Sequence, residues 1–400
     1  MTSTMVFDPF SDEFYADPHA TYPWLRRDAP VYYNSEHDFY ALSRHADVAL
    51  AYKSYETFSS AYGVDLASVR TGKKYPLNII ISIDPPEHRL MRSLVNRVFT
   101  PRAVAGLEPL IRQQIDRFLG EVDPVNFDVV QDFSALFPVE VITQMLGVPA
   151  DYRQQVREWI DVSLHREPGQ IEMSQAGIEA QTAMMAMYYE LIQERRAQPR
   201  DDMISDLLAV EVRREDGERS KLKGREIAGF ASLLGGAGAE TVAKLIGSAV
   251  AEFAQHRGEW DKLLADPAKI PDSIEELLRY DSPVQYNVRR SVKEVALHGV
   301  TIPEGAAVFL LGASANRDSD AWTDPDVFNI DRDRSEAQNL GLGYGIHSCL
   351  GAALARLEGS IALRSLMDFM PRYEVQWDGC KRVMMQNVSG WSHVPVTVLR

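Results

Sequence analysis

The sequence predicts a mainly α-helical protein with a minor β part, folded as one continuous domain over residues 1–400. Apolar residues recur at three- and four-residue spacing over residues 101–147, 149–200 and 226–257, which is typical of helices that bury one face. Short aromatic-rich stretches between turn residues predict strands, as in "PVYYNS" and "DFYALS". We find no internal repeat or low-complexity segment in the sequence.

Capping and turn signals set the order of the elements. We expect a helix at "DPHATYPWLRR", followed by the two strands. Residues 211–226 are densely charged, contain an Asp-Gly turn dipeptide and predict a solvated loop before the long central helix. A helix over residues 273–280 and strands in "EVALHGVTIPEGAAVFLL" follow. The last long helix is predicted to begin at Cys349 or Leu350 and to end before Pro371.

The composition excludes several classes of protein. The chain is 45% hydrophobic and 25% charged, as globular proteins are. A net charge of −15 disfavours nucleic-acid or anionic-membrane partners, because phosphate surfaces repel such a protein. The acidic, proline-containing start is unlike a signal peptide, and no run of 18 apolar residues predicts a membrane span. Since Cys349 and Cys380 are the only cysteines, we expect no disulfide framework and a cytoplasmic location.

Cys349 lies in the stretch "GYGIHSCLG", directly before the last predicted helix. The glycines free the backbone for tight turns and for close approach to a flat object. A helix N-terminus favours thiolate, which is either a nucleophile or a metal ligand. Zinc is disfavoured because no further ligands stand at the right spacing, whereas haem iron needs one protein ligand from this side. The alternative is a buried cysteine that acts as a small hydrophobic residue.

The long central helix contains a glycine cluster in "LLGGAGAETVAKL". Each glycine costs roughly 1 kcal/mol in a helix relative to alanine, so the cluster needs a reason. One interpretation is close packing against another helix, and the other is an opening for a small ligand over a flat cofactor. Thr241 can hydrogen-bond to a carbonyl one turn earlier and loosen the helix. Together with Glu240 it forms an acid–alcohol pair that can relay protons.

Two further pairs of charged residues stand at helical spacing. Glu276 and Arg279 lie three residues apart, which in isolation indicates a surface ion pair. His88 and Arg92 lie four apart in "DPPEHRLMR" and can grip one anionic group from one face. The alternative for the second pair is a solvated basic helix.

The cysteine loop resembles the haem-ligand loop of the cytochrome P450 family, whose pattern is F-G-x-G-x-H-x-C-x-G. Only the first position differs, where Leu342 replaces phenylalanine. "AGAET" resembles the family motif A-G-x-D/E-T, "EELLR" contains E-x-x-R, and "DPPEHRLMR" resembles D-P-P-x-H-x-x-x-R. Residues 328–332 resemble F-D-x-x-R, with Asn329 in place of aspartate. The motifs occur in the family's order, and the resemblance extends over almost the whole chain.

The resemblance implies a role for each of these residues, with haem between the long central helix and the cysteine-loop helix. Cys349 would bind the iron of haem b, Thr241 would hydrogen-bond dioxygen, and Glu240 would serve the proton path. The propionates would be bound by four residues: His88, Arg92, Arg289 (with Arg290 as its neighbouring alternative) and His347. Gly343, Gly345 and Ala237 would lie against the haem. Glu276, Arg279 and Arg332 would form a structural triad.

The resemblance also implies an activity. We expect a bacterial-type haem-thiolate monooxygenase that inserts one atom of dioxygen into a lipophilic small molecule. The chain has no flavin or nicotinamide fingerprint, so a ferredoxin and its reductase would supply the electrons to a monomeric enzyme. A basic face formed by exposed members of Arg89, Arg92, Arg97 and Arg356 would receive the donor. The alternatives are a thiolate-haem sensor without turnover and a peroxide-driven oxidase.

By alignment with the family, five segments would line the substrate pocket: residues 62–80, 184–188, 233–236, 284–288 and 389–391. The pocket should be mainly apolar. The candidate residues within it are Leu233, Leu234, Val284, Tyr286, Asn287, Val288 and Trp391, and Gln285 is a further source of polar contacts.

Overall fold

The computed structural model describes residues 5–77, 79–96, 99–213 and 219–399, and about 52% of the chain is helical. Within these residues the helices are α1 Asp12–Ala16, α2 Tyr22–Asp28, α3 His45–Lys53, α4 Leu66–Arg70, α5 Glu87–Val95, α6 Pro101–Ala105, α7 Glu108–Glu121, α8 Phe137–Leu146, α9 Ala150–Leu164, α10 Gln175–Ala197, α11 Met203–Ala209, α12 Gly224–Gln255, α13 Arg257–Ala265, α14 Ile270–Tyr280, α15 Gly312–Ala315 and α16 Ala352–Phe369. The predicted class, mainly α with a minor β part, is confirmed.

The strands are short and form five small sheets among the described residues. They are β1 Val31–Asn34, β2 Phe39–Leu42, β3 Phe58–Ser59, β4 Phe127–Asp128, β5 Glu211–Arg213, β6 Arg219–Lys221, β7 Asn287–Ser291, β8 Val295–Leu297, β9 Val300–Ile302, β10 Ala307–Leu310, β11 Tyr373–Val375, β12 Lys381–Arg382, β13 Trp391–His393 and β14 Pro395–Val398. The largest sheet has the order β1-β2-β10-β7-β3. In its centre, Arg289 of β7 stands opposite Val308 of β10, so the sheet fixes the position of this arginine.

Helix α12 is the axis of the helical body. Its 32 residues are apolar nearly all round, which is the pattern of a helix buried on all sides. Helices α8, α9 and α10 pack along one side of it, and α16 packs on another. The main hydrophobic core surrounds it, with members such as Ile142, Phe230, Ile246 and Leu363. Any group held between α12 and the cysteine loop is therefore enclosed by the core.

The last long helix begins later than the sequence predicts. Helix α16 begins at Ala352 with Gly351 as its N-cap, so Cys349 precedes the helix instead of starting it. The backbone N–H of Cys349 donates to the carbonyl of Leu342 at 2.8 Å, and this bond joins the two sides of the loop. The predicted end of the helix is close to its observed end at Phe369.

The predicted loop over residues 211–226 is wrong in part. Strands β5 and β6 pair as an antiparallel hairpin, with Val212 opposite Ser220, and α12 begins at Gly224. The densely charged sequence of this stretch has no alternating apolar pattern, so it gave no signal for a strand.

Among the described residues, no single helix is long and apolar enough to span a membrane. Two consecutive helical segments, Val130–Leu146 and Ala150–Leu164, are long and apolar enough only when taken together. The chain bends by 118° between them.

Candidate active site

A cavity lies between α12 and the cysteine loop and contains about 820 Å³ of empty space. Helix α12 supplies Ala237, Gly238 and Thr241, and the loop and α16 supply Cys349, Leu350 and Ala355 on the opposite side. The rest of the lining is mainly apolar: Ile80, Ile81, Phe99, Ile142, Phe230, Leu233, Leu234, Val242 and Leu354. This arrangement suits a large, flat, apolar group held between two helices.

Cys349 lines this cavity and also a depression on the outer side of its loop, and its side chain is exposed. Burial raises the pKa of the thiol, while the Gly351 backbone N–H and the charges of Arg92 and Arg356 oppose the rise. The expected thiolate therefore does not form by helix position alone, because the helix begins three residues further on, at Ala352. A bound metal ion reverses this balance, since a coordinating thiol is deprotonated outright.

Thr241 lines the same cavity from the other side. Its Oγ1 donates to the carbonyl of Ala237 at 2.8 Å, which is the predicted bond to the preceding turn.

The positions of the glycines around Thr241 agree with the interpretation that they allow close helix packing. A Cβ on Gly235 would lie 2.7 Å from the Tyr188 hydroxyl, and one on Gly238 would lie 3.2 Å from Ile142. Gly238 lines the cavity as well, so packing and opening coincide at that residue.

Four nitrogen-rich side chains gather at one edge of the cavity. Arg92 and His347 line it, and the His88 ring lies 4.4 Å from the His347 ring, centroid to centroid. Both ring nitrogens of His88 and Nε2 of His347 are buried without a hydrogen-bond partner. Arg289 is buried and close enough to lower the pKa of His347. Buried donors without acceptors are costly, so this edge is built to receive an anionic group.

The protonation of the two histidines agrees with that reading. Burial and the Arg92 charge lower the pKa of His88 to about 4. Burial, Arg289 and His88 hold the pKa of His347 far below its usual range. Both rings are therefore neutral donors beside two arginines, and carboxylates placed there would complete their hydrogen bonds. The residues present fit a haem with its propionates at this edge and its iron at Cys349.

Arg289 and Arg290 separate clearly in the structure. Arg290 donates to the carbonyl of Val69 at 3.1 Å and stacks on Tyr62, 5.0 Å from the ring centroid. Arg289 instead lies near Tyr52 and His347, at the edge of the cavity. Successive residues of a strand point to opposite faces, which explains the difference.

The predicted structural triad is present. Arg279 Nε lies 2.8 Å from Glu276 Oε2, and Arg332 Nε lies 3.1 Å from the same oxygen. All three side chains are buried, at 5% exposure or less. The backbone N–H of Asn329 also donates to Glu276 Oε1 at 2.9 Å, so the carboxylate is surrounded by donors.

The structure places two predicted cofactor contacts elsewhere. Gly343 and Gly345 lie on the outer side of the cysteine loop, away from the cavity lining. Both have positive φ, 67° and 72°. A Cβ on Gly345 would also lie 2.5 Å from the Tyr52 carbonyl oxygen. These glycines serve turn geometry and contact with α3, whereas Ala237 does line the cavity.

Most of the predicted substrate-pocket residues also lie elsewhere. Leu233 and Leu234 line the cavity, as does Ile80. The others face different surroundings: Tyr286 and Val288 lie in a second core with Phe14 and Phe309, Gln285 binds Tyr22, Asn287 donates to the Tyr286 carbonyl, Val284 bridges Val388, and Trp391 lies under Arg382. The predicted polar contacts are therefore occupied by the protein itself.

Two carboxyl groups lie near the cavity, and the sequence analysis singled out only Glu240. Glu358 of α16 lines the cavity, and burial raises its pKa well above the usual range, which favours the protonated carboxyl. Its only sequence signal is a charged residue on the apolar face of α16. Glu240 points away from the cavity instead, and its Oε2 lies 3.0 Å from Lys244 Nζ in a buried ion pair.

The positions of the four arginines only partly support the predicted electron-donor face. Arg92 lines the cavity, Arg89 is exposed on α5, and Arg97 lies outside the described residues. Arg356 is 45% exposed and pairs with Glu275, which offsets its charge.

Comparison with known proteins places this geometry in a family. The cytochrome P450 family model matches residues 270–387. The chain is 39% identical to cytochrome P450 123 of Mycobacterium tuberculosis, over 98% of this chain and 97% of that one. It is 35% identical to the erythromycin C-12 hydroxylase of Saccharopolyspora erythraea, over 95% of both chains. The structure of CYP109E1 from Bacillus megaterium in complex with testosterone superposes with a TM-score of 0.88 at 32% identity, over 97% of this chain and 99% of that one. The chain belongs to the cytochrome P450 family and is a cytochrome P450 monooxygenase.

Proposed function

We propose that this enzyme holds haem b through Cys349 and inserts one atom of dioxygen into a lipophilic small molecule. One observation carries the proposal: the Cys349 thiol and the Thr241 hydroxyl open into the same apolar cavity from opposite sides. The unpartnered nitrogens at its edge match the propionates of that haem. When bound, haem would supply the iron at which dioxygen is reduced and cleaved.

The chain's own residues have separable roles in this scheme. Cys349 Sγ would hold the iron of the haem, and a thiolate ligand would favour O–O cleavage there. Arg92, Arg289 and the two neutral imidazoles of His88 and His347 orient the cofactor through its carboxylates. Thr241 Oγ1 holds a proton at the cavity wall, on the turn that its bond to Ala237 fixes. The apolar lining excludes water, which limits the loss of protons and electrons to side reactions.

We infer from the lining that the substrate is bulky and weakly polar. The wall is built from isoleucine, leucine and phenylalanine side chains, and relatives act on or bind a macrolide and a steroid. Titration of the holoprotein with testosterone, erythromycin and a lauric acid control would test this by the spin state of the iron. We expect a shift with at least one bulky ligand, and Leu234→Glu should abolish it while leaving the haem content unchanged. A shift with lauric acid alone would contradict the proposed class.

We propose further that electrons come from an acidic ferredoxin and its reductase. A depression of about 840 Å³ lies outside the cysteine loop, lined by Tyr344, Ser348, Cys349 and Arg356. Lys53 stands at this face, with Nζ 4.4 Å from the centre of the Tyr344 ring. A donor seated there would reach the sulfur over the shortest path from the surface.

Reduction rates test this docking site. Lys53→Ala and Arg356→Ala should slow reduction by a surrogate ferredoxin and weaken its dependence on salt, because exposed charges steer association. Arg364→Ala is the matched control, since Arg364 is exposed on the same helix and pairs with Asp368. Equal rates in all three variants would contradict the site.

We also propose a cytoplasmic monomer, in keeping with two free cysteines.

A further inference from the structure

A second cleft lies on the face of α12 that is turned away from the active site. This outer cleft lies between α9, α12 and the segment that follows β12, and it contains about 1070 Å³ of empty space. Within the described part of the chain, no residue lines both the outer cleft and the active-site cavity. The outer cleft is therefore a separate space, which the proposed oxidation does not use.

Much of the wall of the outer cleft is apolar. The apolar side chains come from α9, α10 and the segment beyond β12: Val162, Ala176, Met384 and Met385. Methionine side chains are flexible and polarizable, so they adapt to ligands of irregular shape. The backbone N–H of Arg166, just beyond α9, donates to the Met384 carbonyl at 2.9 Å. This bond fixes two of the walls relative to each other before any ligand binds.

Four side chains that can carry a positive charge line the same cleft. Three of them are paired with carboxylates, at nitrogen–oxygen distances of 2.9–3.2 Å: Arg157 with Asp161, Lys244 with Glu240, and His165 with Glu167. The fourth is Arg382, whose buried Nη1 lacks a hydrogen-bond partner. Among the residues that the structure describes, none forms an ion pair with Arg382, so its charge is left without a paired carboxylate in the cleft.

An aromatic ring holds the guanidinium of Arg382 in place. Its central carbon lies 4.0 Å from the centre of the Trp391 ring. Such stacking uses the face of the guanidinium and leaves its N–H groups free to bind an acceptor. The charge of Arg382 also reaches the buried Asp281 and Glu252, but neither carboxyl forms an ion pair with it. Because a partly buried cation without a hydrogen-bonded anion is unfavourable, Arg382 favours the binding of an anion beside it.

We propose that the outer cleft binds a small molecule that carries a single carboxylate on an apolar body. Arg382 binds the carboxylate, because a guanidinium donates two parallel hydrogen bonds to that planar group. The apolar walls take the body of the ligand. The carboxyls of Asp161 and Glu240 already offset the cations beside them, so the cleft supplies charge for one anionic group and disfavours dianions. Binding is noncovalent and needs neither dioxygen nor electrons.

Calorimetric titration of the holoprotein with decanoate tests this site. We expect decanoate to bind about tenfold more tightly than decanol, which has the same chain length without the charge. Arg382→Gln should weaken decanoate binding about tenfold, at the low end of what a hydrogen bond to a charged group contributes. Arg364→Gln is the matched control, because Arg364 is exposed and paired with Asp368 on α16. The spin state of the iron reports decanoate in the active-site cavity separately, and Arg382→Gln should leave that signal unchanged.

A second variant fills the cleft and keeps the arginine. Ala176 is exposed at the edge of the cleft, so Ala176→Trp should fold normally and abolish the calorimetric signal of this site. Diffraction from crystals grown with a brominated decanoate should place the bromine between the apolar walls.

Equal decanoate affinities in the wild type, Arg382→Gln and Ala176→Trp would overturn the site, as would wild-type binding that the spin-state signal accounts for entirely. Loss of binding in Ala176→Trp alone would overturn the role of Arg382. An equal loss in Arg364→Gln would reduce the effect to general charge screening and would overturn that role as well.

Discussion

At the scale of single residues, Glu276 and Glu275 differ sharply although they are neighbours on α14. Glu276 accepts hydrogen bonds from Arg279, which is 1% exposed, and from Arg332. Removing one partner of a buried ion pair leaves an uncompensated charge, so Glu276→Ala should lower the free energy of unfolding by about 3–5 kcal/mol. Urea unfolding of the purified protein measures this loss.

The matched control is Glu275→Ala. Glu275 pairs with Arg356, which is 45% exposed, and such pairs contribute about 0–1 kcal/mol. Equal losses in the Glu275 and Glu276 variants would contradict the structural role of the triad.

His88 links the stability of the haem-free protein to pH. Its pKa falls from 6.5 to about 4 on folding, mainly through burial. Below pH 6.5 the unfolded chain therefore binds a proton that the folded chain does not, and the free energy of unfolding falls as the pH drops toward 4. Urea unfolding at a series of pH values should show this loss, and His88→Gln should reduce it. His393→Gln should leave the loss intact, and an unchanged loss in His88→Gln would refute the assignment.

At the scale of elements, the fit of α10 against α12 depends on Gly235. A Cβ there would lie 2.7 Å from the Tyr188 hydroxyl, which is buried and has no hydrogen-bond partner. We expect Gly235→Ala to cost about 1–2 kcal/mol of stability, because overpacking outweighs the gain of about 1 kcal/mol in helix propensity. In a Tyr188→Phe background the clash is gone, and the same change should be neutral or stabilising. An equal cost in both backgrounds, measured by urea unfolding, would rule out this contact.

The elements also show what the sequence can predict. The sequence predicts α12 and the helix after Cys349, because apolar periodicity and helix-breaking residues are signals within each segment itself. It does not predict the start of α16 at Ala352, since the structure just before it depends on a bond from Cys349 to Leu342 across the loop. The β5–β6 hairpin was not predicted, because the charged sequence around it lacks the apolar alternation of a half-buried strand.

The same distinction separates the site residues that were predicted from those that were not. The positions of Cys349 and Thr241 follow from motifs and adjacent helices. The position of Val288 depends on which face of β7 turns toward the active-site cavity, and the register with β10 sets that face.

At the scale of the whole molecule, the active site joins distant parts of the chain. Its lining runs from Ile80 through α8 and α12 to Glu358, so the site exists only once these segments have packed together. The organisation of residues 1–400 as one domain stays a prediction, which these shared contacts support. The net charge of −15 leaves the donor face dependent on a few local cations such as Lys53.

The haem-thiolate assignment is tested most directly by the carbon monoxide difference spectrum of the reduced holoprotein. We expect the long-wavelength band of a thiolate-bound haem in the wild type and in Cys380→Ser, and its loss in Cys349→Ser, because a serine oxygen does not donate electron density as a thiolate does. A band that survives in Cys349→Ser, or one that is lost in Cys380→Ser, would contradict the assignment of Cys349 as the iron ligand.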